Sequence, residues 1–169
     1  GKYNPAMGSW TEDSPCSPAN YYGISKLRAE LELLKLNDIS FQVSIIRTPM
    51  VYGRGVKANM LSLIKLVDGL PLLPFKRVNN RRSLTFAGNL AAYIDRIIEL
   101  KTQGVFIAMD AYSPSTEELI VSIAAALGKN TRLFSPGRLA LNLGKHFFRG
   151  YYERLYLDEV LDNTKTLEL

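Results

Sequence analysis

Asn20-Tyr21-Tyr22-Gly23-Ile24-Ser25-Lys26-Leu27-Arg28-Ala29-Glu30-Leu31 is where the chain first acquires a regular period. Ile24, Leu27, Leu31 and Leu34 recur at three and four residues, with Tyr22, Lys26, Ala29 and Leu33 as an adjoining stripe. This predicts a helix from Asn20 to about Asn37. The first stripe is expected to face a core. The second puts a phenol and an ammonium four residues apart, within roughly 40° of each other on one face. An unperturbed tyrosine titrates near pH 10, so general acid/base work at neutrality needs a neighbouring cation to stabilise the phenolate. Lys26 is placed to be that cation. The spacing alone discriminates poorly: with 9 Tyr in 169 residues, chance supplies about half a Tyr-x-x-x-Lys match. An aromatic packed under a helix beside a solvated lysine has the same spacing, so the context must decide.

Before this helix, residues 1–20 carry Pro5, Gly8, Pro15 and Pro18 among polar residues and read as an irregular loop. After it, Phe41 to Arg47 is short, β-branched and bounded by turn formers, which predicts a strand leading through Thr48-Pro49 to a loop at Tyr52-Gly53-Arg54-Gly55. A second helix is expected from Lys57 to Asp68, with Met60, Leu61, Ile64 and Val67 inward and Gly69 and Pro71 closing it. Arg81 to Phe86 reads as a strand. Asn89 is expected to cap a helix through Leu100 whose inner face is Leu90, Ile94, Ile97 and Ile98. Val105 to Met109 is the next strand, and Ser115 with Glu118 makes a capping box for a helix ending at Leu127-Gly128. Thr131 to Phe134 is a further strand, Pro136 opens a helix through Phe148, Tyr151 to Tyr156 is ambiguous, and Asp162 or Asn163 starts a last helix. Strands alternating with helices, without repeats or low-complexity tracts, give an α/β fold. No strand-to-helix turn of the GxGxxG or GxxGxxG kind is present, so a phosphate cradle for a dinucleotide is missing from the sequence.

Bulk properties narrow the partners. A content of 47% hydrophobic and 22% charged residues is ordinary globular composition. The balance of 21 basic against 16 acidic residues, +5 net, favours anionic partners. Basic residues come in short groups, Lys76-Arg77 and Arg81-Arg82, without interleaved stacking aromatics, which disfavours a nucleic-acid surface. Cys16 is the only cysteine, so an intrachain disulfide and a cysteine metal cluster are excluded, no metal is expected, and a reducing, cytoplasmic setting fits. The single histidine, His146, sits beside Phe147 and Phe148 and reads as a packed or capping residue rather than a catalyst or ligand. No apolar run reaches the length of a span and no signal pattern opens the chain, so no membrane partner is expected.

Several stretches agree in order and spacing with one family. Pro18-Ala19-Asn20-Tyr21-Tyr22-Gly23-Ile24-Ser25-Lys26 followed by Ala29-Glu30 resembles the active-site helix of the extended short-chain dehydrogenases/reductases, the nucleotide-sugar epimerases and dehydratases. Ile46-Arg47-Thr48-Pro49-Met50-Val51-Tyr52-Gly53 looks like that family's next strand and loop. Asn79-Asn80-Arg81-Arg82-Ser83-Leu84, the helix from Asn89, and Gly104-Val105-Phe106 before the Ser115 helix match its substrate-binding half. The resemblance covers nearly the whole chain. It implies the C-terminal part of a Rossmann-like fold: residues 1–56 a remnant of the dinucleotide-binding domain, and residues 57–169 mainly a smaller α/β domain for the sugar nucleotide, with some segments returning to the sheet.

The resemblance also implies a chemistry. NAD or NADP carries hydride to or from a sugar carbon while Tyr22 exchanges the hydroxyl proton, and Lys26 supports the phenolate and holds the nicotinamide ribose. Pro49, Met50 and Val51 would line the nicotinamide side. Asn59 and Arg82 would hold the substrate diphosphate, with Arg154 as a second clamp; for Arg82 the competing reading is a solvated surface arginine. Met50 stands where many family epimerases have Asn, and Asn89 where they often have Asp. The family's glycine-rich segment and catalytic Ser or Thr are expected upstream of Gly1, so the chain is read as the later portion of a longer enzyme, inactive by itself. The stretches around Tyr52-Gly53 and Arg82 look most like bacterial UDP-sugar 4-epimerases and 4-ketoreductases of surface-polysaccharide synthesis. Whether two copies pair through helices, as is usual in the family, stays open. The alternative function is a non-catalytic relative that binds a nucleotide, an RNA or a protein with the same fold.

Overall fold

The computed structural model describes residues 9–18 and 20–168. Residues 1–8 and 19 of the expected opening loop therefore lie outside the described residues. The element order is α1 (Tyr21–Lys35), β1 (Ser44–Arg47), β2 (Met50–Tyr52), α2 (Ala58–Gly69), β3 (Leu72–Leu73), β4 (Leu84–Phe86), α3 (Ala87–Leu100), β5 (Gly104–Ile107), α4 (Thr116–Ala126), β6 (Arg132–Leu133), α5 (Arg138–Phe147) and α6 (Arg149–Tyr156), with a 3-10 turn at Thr166–Glu168. These fall into two compact units: Gly1–Gly53 with Leu84–Ala111 and Val160–Leu169, and Arg54–Ser83 with Tyr112–Glu159.

In the first unit β1 runs parallel to β5, with Ser44 opposite Gly104 and Arg47 opposite Ile107. Likewise β2 runs parallel to β4, from Met50 opposite Leu84 to Tyr52 opposite Phe86. Parallel pairing requires a crossover between partners, so each pair brings together residues far apart in sequence. Val43, Leu84, Ile97 and the run Phe106–Met109 are buried here. Fully enclosed Thr85 donates from Oγ1 to the Ala108 carbonyl at 2.7 Å. The end of the chain is tied in by Thr166, whose Oγ1 accepts from Ile107 N–H at 2.8 Å and donates to Glu12 at 2.7 Å. Buried Glu12 thus has a partner, as a polar group in a core requires. At the exit of β2, Gly53 has φ +148 and a Cβ there would lie 3.1 Å from that of Ala87. Backbone angle and close approach both demand glycine.

Three expectations are corrected in this unit. The inner stripe of α1 does not include Leu31, which is half exposed, and no α1 residue is fully buried. The half-covered positions are Gly23, Ile24, Leu27, Glu30 and Leu34, with Glu30 drawn in by Arg47. Asn89 does not cap α3: the helix starts at Ala87, and the Asn89 side chain donates to Asp110 Oδ1 at 2.8 Å. Asp110 also receives Phe86 N–H on both oxygens at 3.1 Å, so a carboxylate from the end of the neighbouring strand serves the helix start. The inner face of α3 is Leu90, Tyr93 and Ile97, while Ile94 and Ile98 are exposed. Tyr93 sets this rotation, its hydroxyl donating to the Met109 carbonyl at 3.2 Å and accepting from Asn163 at 3.1 Å.

In the second unit α2 packs against α4. Met60, Leu63 and Val67 are buried on one helix and Ile120 and Ala124 on the other. Leu63 replaces the expected Leu61 and Ile64, which are half-buried. Each large aliphatic side chain so enclosed contributes about 1.5–3 kcal/mol. The α4 start is as expected: Ser115 accepts from Glu118 N–H at 3.1 Å and Ser115 N–H donates to Glu118 at 2.7 Å. Gly128, at φ +64, supplies the left-handed residue just beyond this helix. The short β3 is parallel to β6, Leu73 opposite Leu133.

Other boundaries shift for long-range reasons. The strand expected from Arg81 begins only at Leu84. Arg82 N–H goes to the Pro114 carbonyl and Ser83 N–H to the Glu159 carbonyl, so the backbone changes partner at every residue. The ambiguous Tyr151–Tyr156 stretch lies in α6, held by Tyr156, whose ring is 5.3 Å from that of Phe75 and whose hydroxyl donates to the Pro74 carbonyl at 2.6 Å. The last helix does not start at Asp162 or Asn163. Asp162 instead accepts from Thr164 N–H and hydroxyl at 2.9 and 2.6 Å, closing a turn, and only Thr166–Glu168 coils.

Candidate functional site

α1 begins cleanly because Asn20 accepts from Gly23 N–H at 2.8 Å, freeing the next residues to be helical. That start carries Tyr21 and Tyr22, 92% and 73% exposed. Lys26, one turn on, places Nζ 5.6 Å from the centroid of the Tyr22 ring. The phenol and the ammonium therefore share one solvent-facing side of α1, with the cation over the ring's electron-rich face. Neither is packed inward.

Few apolar contacts hold this helix, so its polar tether counts. Arg47, the last residue of β1, reaches Glu30 from Nη2 at 2.5 Å and from Nε at 3.3 Å, and donates from Nη1 to the Glu12 carbonyl at 2.8 Å. The Glu30 hydrogen bond raises the guanidinium above its ordinary pKa, against the opposing effect of burial. This fork fastens the tyrosine–lysine helix to the end of a strand. Directly after it come Pro49, half-buried in a bend, and Met50 and Val51 in β2 opposite Leu84 and Thr85. Tyr52 packs its ring 5.6 Å from that of Phe86. Burial, then Asp110, raises the pKa of the Tyr52 phenol.

The second unit brings Asn59, Arg82 and Arg154 together. Arg154 donates from Nη1 to Asn59 Oδ1, in the first turn of α2, at 3.2 Å. Arg82 is 7% exposed, donates to the Arg154 backbone carbonyl and forms an ion pair with Glu159. It is not a solvated surface arginine. Burial lowers its pKa from the ordinary value, Glu159 opposes that, and the charge of Arg154 adds to the lowering. The Arg82 guanidinium is thus enclosed and engaged by Glu159 and the Arg154 carbonyl, while the Arg154 side chain is exposed beside it.

Two positioning residues escaped the sequence reading. Buried Asn80 accepts from Thr116 N–H at 2.9 Å and donates to the Thr116 hydroxyl at 3.2 Å and the Leu157 carbonyl at 3.1 Å, joining the start of α4 to the end of α6 next to Arg82. Glu159 is the other. Asn80 stands in the quoted Asn79-to-Leu84 stretch, and that context was its only signal; nothing local marked Glu159, 77 residues from Arg82.

The residues fit one end of a dinucleotide. The exposed phenol and ammonium on α1 are groups that can meet ribose hydroxyls, and Pro49, Met50 and Val51 follow Arg47 in the chain. No residues here offer the glycine-rich cradle that a pyrophosphate takes at a helix start.

The architecture, parallel strands with intervening helices and an exposed Tyr-x-x-x-Lys helix, is the Rossmann-like α/β fold of extended short-chain dehydrogenases. A UDP-N-acetylglucosamine 4-epimerase from Bacillus cereus superposes with a TM-score of 0.68 over 99% of this chain and 54% of that one, at 17% identity. A dTDP-glucose 4,6-dehydratase from Bacillus anthracis, in complex with NAD, gives a TM-score of 0.66 over 95% and 49%, at 16% identity. Residues 1–107 match the profile of the NAD dependent epimerase/dehydratase family, and the chain belongs to that family. It is 43% identical over 126 residues to a UDP-glucose 4-epimerase of Vibrio cholerae, a match covering 72% of this chain and 38% of that relative. The matched segment thus spans 38% of the length of that protein.

Proposed function

We propose that this chain supplies the acid/base helix and the sugar-nucleotide unit of an NAD(P)-dependent 4-epimerase or 4-ketoreductase acting on a UDP-sugar. The observation that carries the reading is the exposed Tyr22 with Lys26 Nζ 5.6 Å from its ring, on a helix of this family. NAD or NADP, when bound, supplies the hydride acceptor and donor. Tyr22 takes the proton of the sugar's C4 hydroxyl as the carbon is oxidised and returns it to the oxygen on reduction, so the phenol is unchanged after an epimerase cycle. Lys26 holds the nicotinamide ribose. Pro49, Met50 and Val51 line the nicotinamide side. Arg82, Arg154 and Asn59 take the diphosphate, where positively charged forks suit paired phosphates. A bacterial surface-polysaccharide role and a cytoplasmic setting belong to this same reading.

The test is incubation of the full gene product with UDP-sugars, first with NAD and then with NADPH. An epimerase interconverts C4 epimers without net consumption of reductant, whereas a ketoreductase, given the UDP-4-keto-sugar, oxidises one NADPH for each carbonyl it reduces. Activity unchanged in Tyr22→Phe sinks the assignment of the acid/base. The absence of any cofactor-dependent turnover, together with a salt-sensitive RNA shift, would instead favour the non-catalytic binder.

A further inference from the structure

The junction of α5 and α6 presents aromatic side chains that the enzyme reading leaves unused. Phe147, Phe148 and Tyr151 are 69%, 66% and 68% exposed, with Leu143 half exposed one turn before Phe147. Phe148 caps the start of α6, and Tyr151 N–H bonds to its carbonyl at 3.0 Å, so Phe148 and Tyr151 stand one turn apart. The inner side of the same helix is fixed: Tyr152 stacks on Tyr156 at 5.0 Å, and Tyr156 is held by Phe75 and Pro74. The exposed rings therefore ride on an anchored platform. Between residues 138 and 156 the charged side chains are Arg138, Lys145, Arg149 and Arg154 against Glu153 alone, four cations to one anion, leaving +3.

We propose that this junction is a peripheral docking surface for an anionic phospholipid bilayer, with the rings entering the headgroup region and Lys145 and Arg149 meeting lipid phosphates. Interfacial helices combine basic residues with exposed aromatics in this way. The hydropathy argument against a membrane partner tests for a span and is blind to such a contact. A second copy is the poorer occupant, because a two-fold contact would set like charges against like. Nucleic acid is poorer too, since rings at 147, 148 and 151 crowd one helix corner rather than spacing out for successive bases. The inference does not rest on the enzyme assignment.

The experiment is co-sedimentation of the chain with vesicles of 30% phosphatidylglycerol in phosphatidylethanolamine, and separately with pure phosphatidylcholine. Binding is expected only to the anionic vesicles and is lost in 0.5 M salt. Each Lys or Arg near such a surface is worth about fivefold in partitioning, so Lys145→Gln with Arg149→Gln weakens binding roughly thirtyfold. Phe147→Ser with Phe148→Ser abolishes it. These side chains are all exposed, so the variants keep the wild-type circular dichroism. The proposal is overturned by equal binding to both vesicle types, by no binding to either, or by variants that alter the sedimentation coefficient of the protein alone while vesicle binding is unchanged.

Discussion

Replacing Glu30 by Gln tests whether the helix carrying Tyr22 and Lys26 is held by the charge of one ion pair. Side chains of Arg47 and Glu30 are 26% and 13% exposed, so the pair is largely withdrawn from water. Breaking a fully buried pair from one side costs about 3–5 kcal/mol, and an exposed pair contributes at most about 1. With a quarter of Arg47 still wet, and an amide able to keep one neutral hydrogen bond, the expected cost is about 2 kcal/mol. Because α1 has no fully buried side chain, that cost should fall on α1 locally before it falls on the whole unit. A loss of about 2 kcal/mol raises the local opening equilibrium roughly thirtyfold. Amide hydrogen exchange of residues 24–35 reads this directly, with β5 amides as the internal control. Arg47→Lys should lie between, since one ammonium cannot reproduce the two-pronged contact. If exchange in α1 is unchanged while the melting temperature falls, the pair is not the tether and the argument fails.

In the full gene product, Tyr22→Phe is expected to lower kcat by about 10²–10⁴-fold with little change in melting temperature, because the ring is exposed; steady-state kinetics beside a thermal melt will show it. Asn80→Ala strands Thr116 N–H and the Leu157 carbonyl in a buried setting and should destabilise the second unit by about 2–3 kcal/mol, read by urea unfolding. Glu118 has its pKa lowered by the Ser115 backbone N–H first and the Tyr112 hydroxyl next. A depressed carboxylate gives stabilisation that is complete above the ordinary glutamate range, near pH 4.3, and is lost as pH falls through its own lower value. NMR titration should place this step below that range and find α4 fraying with it, and Glu118→Gln should remove the step.

Local chemistry made much of this protein legible. The Ser115–Glu118 capping box and the helical spacing of Tyr22 and Lys26 each close within one turn, so the residues that decide them are neighbours in sequence. The alternation of strands and helices fixed the α/β class for the same reason, since each period is read from a few consecutive side chains. Tertiary structure alone decided the rest. The rotation of α3 depends on Tyr93 finding the Met109 carbonyl and Asn163, the start of that helix on Asp110, the seating of α1 on Arg47, and the burial of Arg82 on Glu159. A buried polar or charged group must find its partner wherever the folded chain brings one within hydrogen-bond reach. That partner's position in the sequence is set by topology, and no local period encodes it.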